Sequence, residues 1–280
     1  MTQAARDEVR ARDGTRLLRR RWLPPTGTAT RARLLVVHGL GEHLGRYEEA
    51  GAFFAERGFA TSGCDLRGCG LSDGRRGHVR RWTDFHQDLD ACAPAAPFAV
   101  LAHSMGGLVA LDWVRARFQA PAAESLPFAL VLSGPLLDVA VPIAAWKKSV
   151  AGILSRWAPG LRMRSGVPLP LLCTDSAVVA AFERDPLRDP KSTPRWYVEM
   201  QRARARVLDA LPAMRVPAQF HLAGDERIVS AEAVQAGFDN WGGPKELVRW
   251  PRGRHEILHE PFRQEVLARM ADFLLRHSPA

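Results

Sequence analysis

Ser104 stands in Leu101-Ala102-His103-Ser104-Met105-Gly106-Gly107, after an apolar run from Phe98 to Leu101 and before an apolar helical pattern from Leu108 to Val114. A serine on a sharp turn between a buried strand and a helix, hemmed in by small residues, is a nucleophile elbow. The turn exposes the hydroxyl and puts the next backbone N–H where an oxyanion would form. The usual pattern is G-x-S-x-G, and here Ala102 takes its first position. That site demands a small residue more than it demands a positive φ. A serine hydroxyl is a weak nucleophile at neutral pH, so it needs a base, a group that orients the base, and donors for the developing oxyanion. His255, after Pro251-Arg252-Gly253-Arg254, is the expected base, and Asp225, in Leu222-Ala223-Gly224-Asp225-Glu226-Arg227, the expected acid. Glu226 is adjacent and could replace it; alignment to the motif favours Asp225. The expected oxyanion donors are the N–H groups of Met105 and of Leu40, in His38-Gly39-Leu40-Gly41.

Elements that could position these groups alternate along the chain. Glu8 to Arg12 and Thr15 to Trp22 flank an Asp13-Gly14 turn and read as a hairpin. Strands follow at Arg33 to His38, Phe59 to Cys64, Phe98 to Leu101, Phe128 to Leu132, Ala218 to Ala223 and Glu246 to Trp250. Helical spacing covers Arg46 to Arg57, with Gly58 as the residue that ends it, then Trp82 to Cys92, the elbow helix, a helix from Ala231, and Pro261 to Arg276. Such alternation predicts an α/β fold with a mostly parallel sheet covered by helices on both faces. Between Pro135 and Pro212 the rhythm stops, and prolines and helical patterns dominate. This predicts a core of residues 1–134 and 213–280, with a helical cap of residues 135–212 inserted after the sixth core strand. The cap would lie over the C-terminal ends of the strands, where such sheets bind ligands.

Composition narrows the function. The 280 residues are 46% hydrophobic, enough for one large core, and no apolar run approaches the roughly 18 residues that span a bilayer. The N-terminus, Met1 to Glu8, lacks the apolar stretch of a signal peptide, so a cytoplasmic protein, with peripheral membrane contact left open, is expected. Net charge is +9, but the basic residues are scattered arginines, with lysine only at positions 147, 148, 191 and 245. No nucleic-acid motif accompanies them, and no nucleic-acid partner is expected. Anionic lipid surfaces or anionic substrates suit this charge better. Cys64, Cys69, Cys92 and Cys173 show neither C-x-x-C nor metal-ligand spacing. They read as reduced thiols, mostly packed as small apolar residues, with Cys69 in a loop where no neighbour argues for a lowered pKa.

Taken in order, the motifs carry a resemblance. His38-Gly39-Leu40-Gly41-Glu42-His43-Leu44-Gly45-Arg46-Tyr47 resembles the oxyanion-loop signature of the monoacylglycerol lipase/lysophospholipase family of α/β-hydrolases, relatives of the serine aminopeptidase-like hydrolases. Asp65-Leu66-Arg67-Gly68-Cys69-Gly70-Leu71-Ser72-Asp73-Gly74 is similar to that family's D-x-R-G-x-G-x-S loop, and Ala102 to Gly107 to its G-H-S-M-G-G elbow. Ala223-Gly224-Asp225 and His255-Glu256-x-x-x-Glu260 resemble its acid and base segments, and Thr174-Asp175 through Asp185-Pro186-Leu187 looks familial within the cap. The resemblance spans nearly the whole chain. It implies an α/β-hydrolase fold and hydrolysis of an acyl ester through an acyl-enzyme, with no metal or organic cofactor.

Other candidates have structural readings. Asp65 and Asp73 precede the elbow, in the wrong order for the acid, and Asp65 with Arg67 is expected to brace its loop. His38 and His43 are expected to make structural hydrogen bonds, and His103 to pack with its ring turned away from the site. His255-Glu256-Ile257-Leu258-His259 also satisfies H-E-x-x-H, the zinc-protease pattern. Pro261 disfavours a continuous helix there, and neither an extended motif nor a later glutamate supplies a third ligand.

The expected substrate is a small acyl ester or lipid of acylglycerol or lysophospholipid type. Acyl transfer, C–C hydrolysis, peptidase chemistry or a non-catalytic ligand-binding role on the same scaffold are the alternatives. Ile143, Trp146, Val150, Ile153, Leu154, Trp157 and Leu161 repeat at helical spacing beside Lys147, Lys148 and Arg156. Such a stripe can pack on the core, the expected arrangement, or make transient contact with a membrane surface. No obligate protein partner is implied.

Overall fold

The computed structural model describes residues 4–119, 126–140, 145–164 and 168–279, apart from the side chains of Ala145, Lys147 and Lys148. Its main sheet joins β1 (Ala5–Arg10), β2 (Arg16–Trp22), β3 (Ala32–Val37), β4 (Phe59–Cys64), β5 (Phe98–His103), β6 (Leu130–Ser133), β9 (Ala218–Ala223) and β10 (Lys245–Trp250). They lie in the order β1-β2-β4-β3-β5-β6-β9-β10. β1 and β2 form the antiparallel hairpin and β2 meets β4 antiparallel, while every other pairing is parallel. Val37, Ala102, Leu132, Phe220 and Leu247 lie side by side across five parallel strands. The strands therefore finish together, and the loops that follow them share one edge of the sheet.

Two hydrophobic layers hold the sheet. On one face α1 (Glu48–Glu56) and α8 (Arg263–His277) bring Phe53, Phe54, Leu267 and Phe273 against Leu34, Val36, Ala99 and Leu101. On the other, α2 (Asp84–Cys92), α3 (Met105–Phe118) and α7 (Ala231–Asp239) pack on Leu35, Val37, Val100 and Ala102. Because both faces are covered, β5 and β9 are buried along their whole length, as parallel strands of this kind require. Ala102 is wholly buried in the second layer, so its methyl is accommodated by packing.

Between β6 and β9 run α4 (Ala145–Trp157), β7 (Met163–Arg164), α5 (Ser176–Arg184), β8 (Lys191–Ser192) and α6 (Pro194–Ala210), with β7 and β8 paired antiparallel. Trp196, Met200, Ala203 and Val207 of α6 belong to the same hydrophobic layer as α3, so this part of the insert is continuous with the core. Backbone and side-chain bonds fasten the insert to core loops. Thr193 N–H donates to Gly77 O at 2.9 Å, Asp189 N–H to Gly41 O at 3.0 Å, and Arg75 to Gly160 O at 2.7 Å.

Two expectations are corrected. Cys64 and Cys92 are joined by a disulfide rather than being free; β4 and α2 each end on one of them, bringing their Cα atoms to 6.0 Å, within disulfide reach. Cys69 and Cys173 are free and buried, and burial pushes both thiols up to about 12. Most of the apolar stripe does not pack on the core: Trp146 is 65% exposed, Ile153 61% and Trp157 79%, with Val150 and Leu161 also exposed, while Leu154 is partly buried. Ile143 and the side chains of Lys147 and Lys148 lie outside the described residues.

Candidate active site

The elbow is strained as its chemistry requires. Ser104 has φ 52° and ψ −118°, and it is the one non-glycine residue with positive φ among those described. A conformation of this kind costs about 1–3 kcal/mol and persists only where its surroundings impose it. Here Ser104 N–H donates to Ser133 O at 2.9 Å, while Ser104 O accepts from Gly107 N–H at 2.9 Å and Leu136 N–H at 3.0 Å. Helix α3 starts directly after and lies close against β3. A Cβ on Gly106 would come within 2.5 Å of the carbonyl oxygens of Val37 and His38. Gly39 is equally constrained, since its Cβ would meet Glu42 Oε1 at 2.9 Å and Ser104 Cβ at 3.3 Å. The small residues of both motifs thus allow two backbones to approach the serine. They bring Leu40, the second expected oxyanion donor, into the wall of the Ser104 cavity, while Met105 contributes one of the unpaired N–H groups at the start of α3.

His255 bridges to the serine as expected, but the acid differs from the expectation. His255 Nε2 lies 2.9 Å from Ser104 Oγ, and its Nδ1 lies 2.9 and 3.1 Å from the two carboxylate oxygens of Glu226. Asp225 faces away: its side chain is 38% exposed and pairs with Arg227 at 2.6 Å and Arg254 at 3.4 Å. The reason is the sheet's own alternation. Asp225 N–H donates to Gly253 O at 3.0 Å, extending the β9–β10 pairing, and a shift of one residue moves a side chain to the opposite face. Glu226 takes the inward position, where its carboxylate also accepts from Ile228 N–H at 2.9 Å and Val229 N–H at 3.2 Å.

Electrostatics fit a charged acid and a basic imidazole. Burial opposes ionisation of Glu226, but His255 and the two backbone donors hold its carboxyl below the usual range. Burial likewise opposes protonation of His255, yet the Glu226 carboxylate outweighs it and raises the imidazole above its ordinary value. His103, expected to turn away, instead places its ring 4.8 Å from that of His255. Burial and then His255 push it down to about 4, so it stays neutral beside the base. Its Nδ1 lies 3.1 Å from both Ser133 O and Ser133 Oγ.

Buried charges fix the loops around this centre. Glu42 accepts from Gly39 N–H at 2.5 Å and from Tyr47 OH at 2.8 Å, shaping the oxyanion loop. Arg46 ties Glu42, at 2.7 Å, to Glu256, at 2.5 Å, and so couples the oxyanion loop to the residue beside the base. Glu260 is wholly buried and accepts from Arg254 N–H at 2.8 Å and from the Thr174 hydroxyl, clamping the base loop to the insert. His43 donates to Asp185 at 2.7 Å across the same boundary. His38 holds the neighbouring loop by accepting from Leu66 N–H at 2.9 Å. Asp65 braces its loop through Leu44 N–H and Leu71 N–H, but not with Arg67, whose partners are Asp88 and Asp13 at 2.7 Å each. His255 and His259 are separated by a short 3-10 turn, Ile257–His259, not by a turn of α-helix. Both ring nitrogens of His255 are already engaged.

The cavity at Ser104 has a volume of about 220 Å³ and a largely apolar wall that includes Leu136, Leu172, Phe182, Trp196 and Met200. It adjoins a second cavity of about 430 Å³ that shares Ser192 and Tyr197 with it and reaches Trp146 and Val150 on α4. Such a space suits an acyl chain beside a serine–histidine–carboxylate relay. Glu226→Gln should lower kcat for ester hydrolysis by about 10³–10⁴, as loss of a triad acid does. The rate rises with pH as His255 loses its proton, so the acid limb of the wild-type profile should lie above the ordinary imidazole value. In Glu226→Gln it should move to lower pH, whereas Asp225→Asn should leave both kcat and the limb near wild type. A pH–rate series on the three proteins checks this, and the reverse pattern would restore Asp225.

Known proteins share this architecture. A family model described as Serine aminopeptidase, S33, matches residues 28–262. Phospholipase YtpA of Bacillus subtilis is 28% identical over 242 residues, covering 84% of this chain and 92% of that protein. The monoacylglycerol lipase of Mycolicibacterium smegmatis is 27% identical over 276 residues, 94% of each chain. Another relative, an uncharacterized abhydrolase domain-containing protein of Dictyostelium discoideum, is much longer, and this chain spans 27% of it. A crystal structure of a soluble variant of Saccharomyces cerevisiae monoglyceride lipase, in complex with a substrate analog, superposes with TM-score 0.85 at 22% identity over 100% of this chain and 97% of that one. The fold is thus that of the α/β-hydrolases, and the chain belongs to the serine aminopeptidase, S33, family.

Proposed function

We propose that this protein hydrolyses carboxylic esters of acylglycerol or lysophospholipid type through an acyl-enzyme on Ser104. The observation that carries the reading is the unbroken relay from Ser104 Oγ through His255 to the buried Glu226. His255 takes the serine proton as Oγ attacks the ester carbonyl, and Glu226 steadies the imidazolium that forms. The N–H groups of Leu40 and Met105 receive the oxyanion, a contribution of roughly 10²–10³ in rate for each donor. His255 then protonates the departing alcohol, and a water repeats the sequence to release the fatty acid. Names of relatives, monoacylglycerol lipase and phospholipase, support lipid esters as the substrate class. The apolar wall of the cavity supports it independently.

The exposed face of α4 extends the reading to where the substrate is met. Trp146, Ile153 and Trp157 project from the insert, beside the cavity that adjoins the Ser104 site, and suit shallow insertion into a lipid surface. No helix among the described residues is long and apolar enough to cross a membrane.

Intact mass after fluorophosphonate treatment, with a chelator present, tests the chemistry. Wild type should gain one adduct and Ser104→Ala none; no adduct on folded wild type would contradict the proposal. For the surface, vesicle sedimentation should show binding reduced about tenfold or more in the Trp146→Ser, Trp157→Ser double variant, given the apolar area removed. Equal binding by both proteins would refute the docking face.

A further inference from the structure

Four carboxylate or guanidinium side chains line the Ser104 cavity: Glu42, Glu256, Asp189 and Arg188. Three are balanced. Arg46 pairs with Glu42 at 2.7 Å and Glu256 at 2.5 Å, and Arg162 pairs with Asp189 at 2.6 Å. Arg188 has no carboxylate partner among the described residues. Its guanidinium lies 5.1 Å from the centre of the Phe182 ring, which Arg46 also approaches, at 3.9 Å. Arg188 is therefore the one of these four charged groups without an ion-pair partner among the described residues, and it is partly buried.

The position of that charge is fixed by the fold. Asp185 accepts from His43 at 2.7 Å, Arg188 N–H donates to Asp185 O at 3.2 Å, and Asp189 N–H donates to Gly41 O at 3.0 Å. Arg188 is thus held between two anchors on the oxyanion loop. Most arginines of this arginine-rich chain are solvated or ion-paired, where a charge is cheap. A guanidinium partly buried in a cavity wall loses hydration without gaining an ion-pair partner of its own, unless a ligand brings one.

Building on the ester-hydrolase reading above, we propose that Arg188 binds a phosphate on the alcohol part of the substrate. The favoured substrate class is then a glycerol ester bearing a phosphate, in preference to a neutral acylglycerol. The planar fork of a guanidinium matches two phosphate oxygens and adds a charge-assisted bond that a glycerol hydroxyl does not offer. The phosphate ester itself is not cleaved. Water breaks the carboxylic ester, giving the fatty acid and a glycerol phosphate.

The test compares octanoyl glycerol with octanoyl glycerol phosphate, both kept monomeric so that the net charge of +9 does not act through an anionic lipid surface. Wild type should favour the phosphate ester. The ratio of kcat/KM values should fall at least tenfold in Arg188→Gln, through KM, and recover in part in Arg188→Lys. Arg12→Gln, which removes the same charge at an exposed site, should keep the wild-type ratio. On wild type alone, glycerol 3-phosphate should inhibit octanoyl glycerol hydrolysis competitively where equal glycerol does not. An unchanged ratio in Arg188→Gln, or an equal fall in Arg12→Gln, would overturn the role of Arg188. Inhibition by inorganic phosphate as strong as that by glycerol 3-phosphate would replace the headgroup with a free anion and overturn it too. If wild type cleaved neither ester, the ester-hydrolase reading itself would fall, a result distinct from hydrolysis of both with an unaltered ratio.

Discussion

The backbone of Ser104 is held where an L-residue gains nothing by being, and much of the structure serves to keep it there. Positive φ at the end of β5 turns the chain sharply enough for α3 to start at once, which aims the hydroxyl out of the sheet. The turn closes because Gly106 lets α3 lie against the carbonyls of β3, and because Gly39 lets the oxyanion loop pass beside the serine. One sheet hydrogen bond, from Ser104 N–H to Ser133 O at the end of β6, fastens the same residue from the other side. Strain of about 1–3 kcal/mol is small against the burial of both hydrophobic layers, so the core imposes it without difficulty.

Around that fixed point, the oxyanion and base loops are tied down by buried ion pairs and hydrogen bonds. Arg46 makes one guanidinium serve both the oxyanion loop and the base loop. Glu260 and Asp185 then connect those loops to the insert, so the segment that covers the cavity shares its anchors with the loops beside Ser104 and His255. Buried pairs contribute little net stability, but breaking one by removing a single partner is costly. Their consequence here is geometric: the position of Arg188 follows from the same anchors that place the oxyanion loop.

Much of this was legible in the sequence, and the misses have physical causes. The elbow, the strands that flank it along the chain and the base stood out because parallel strands read as apolar runs separated by helical segments. The same property hid the acid. β9 is buried on both faces, so no polar alternation marks which of Asp225 and Glu226 points inward, and the motif alignment chose the wrong neighbour. The disulfide joins residues 28 positions apart at the ends of a strand and a helix, a proximity that no local spacing reveals. The two-residue pairing of β7 with β8 is too short for any periodicity. The helical period of α4 was readable, but period alone does not say whether an apolar face meets the core or solvent; the structure leaves Trp146 and Trp157 outside.

The account rests on one geometry: an oxyanion between Leu40 and Met105, with His255 linking Ser104 to Glu226. A crystal structure of the phosphonylated enzyme tests it most directly, because the tetrahedral phosphorus reproduces the shape of the reaction intermediate. The account predicts a phosphonyl oxygen within hydrogen-bond distance of both backbone N–H groups, and His255 still bonded to Glu226. An oxygen pointing away from Leu40 and Met105, or an imidazole turned to Asp225, would contradict it.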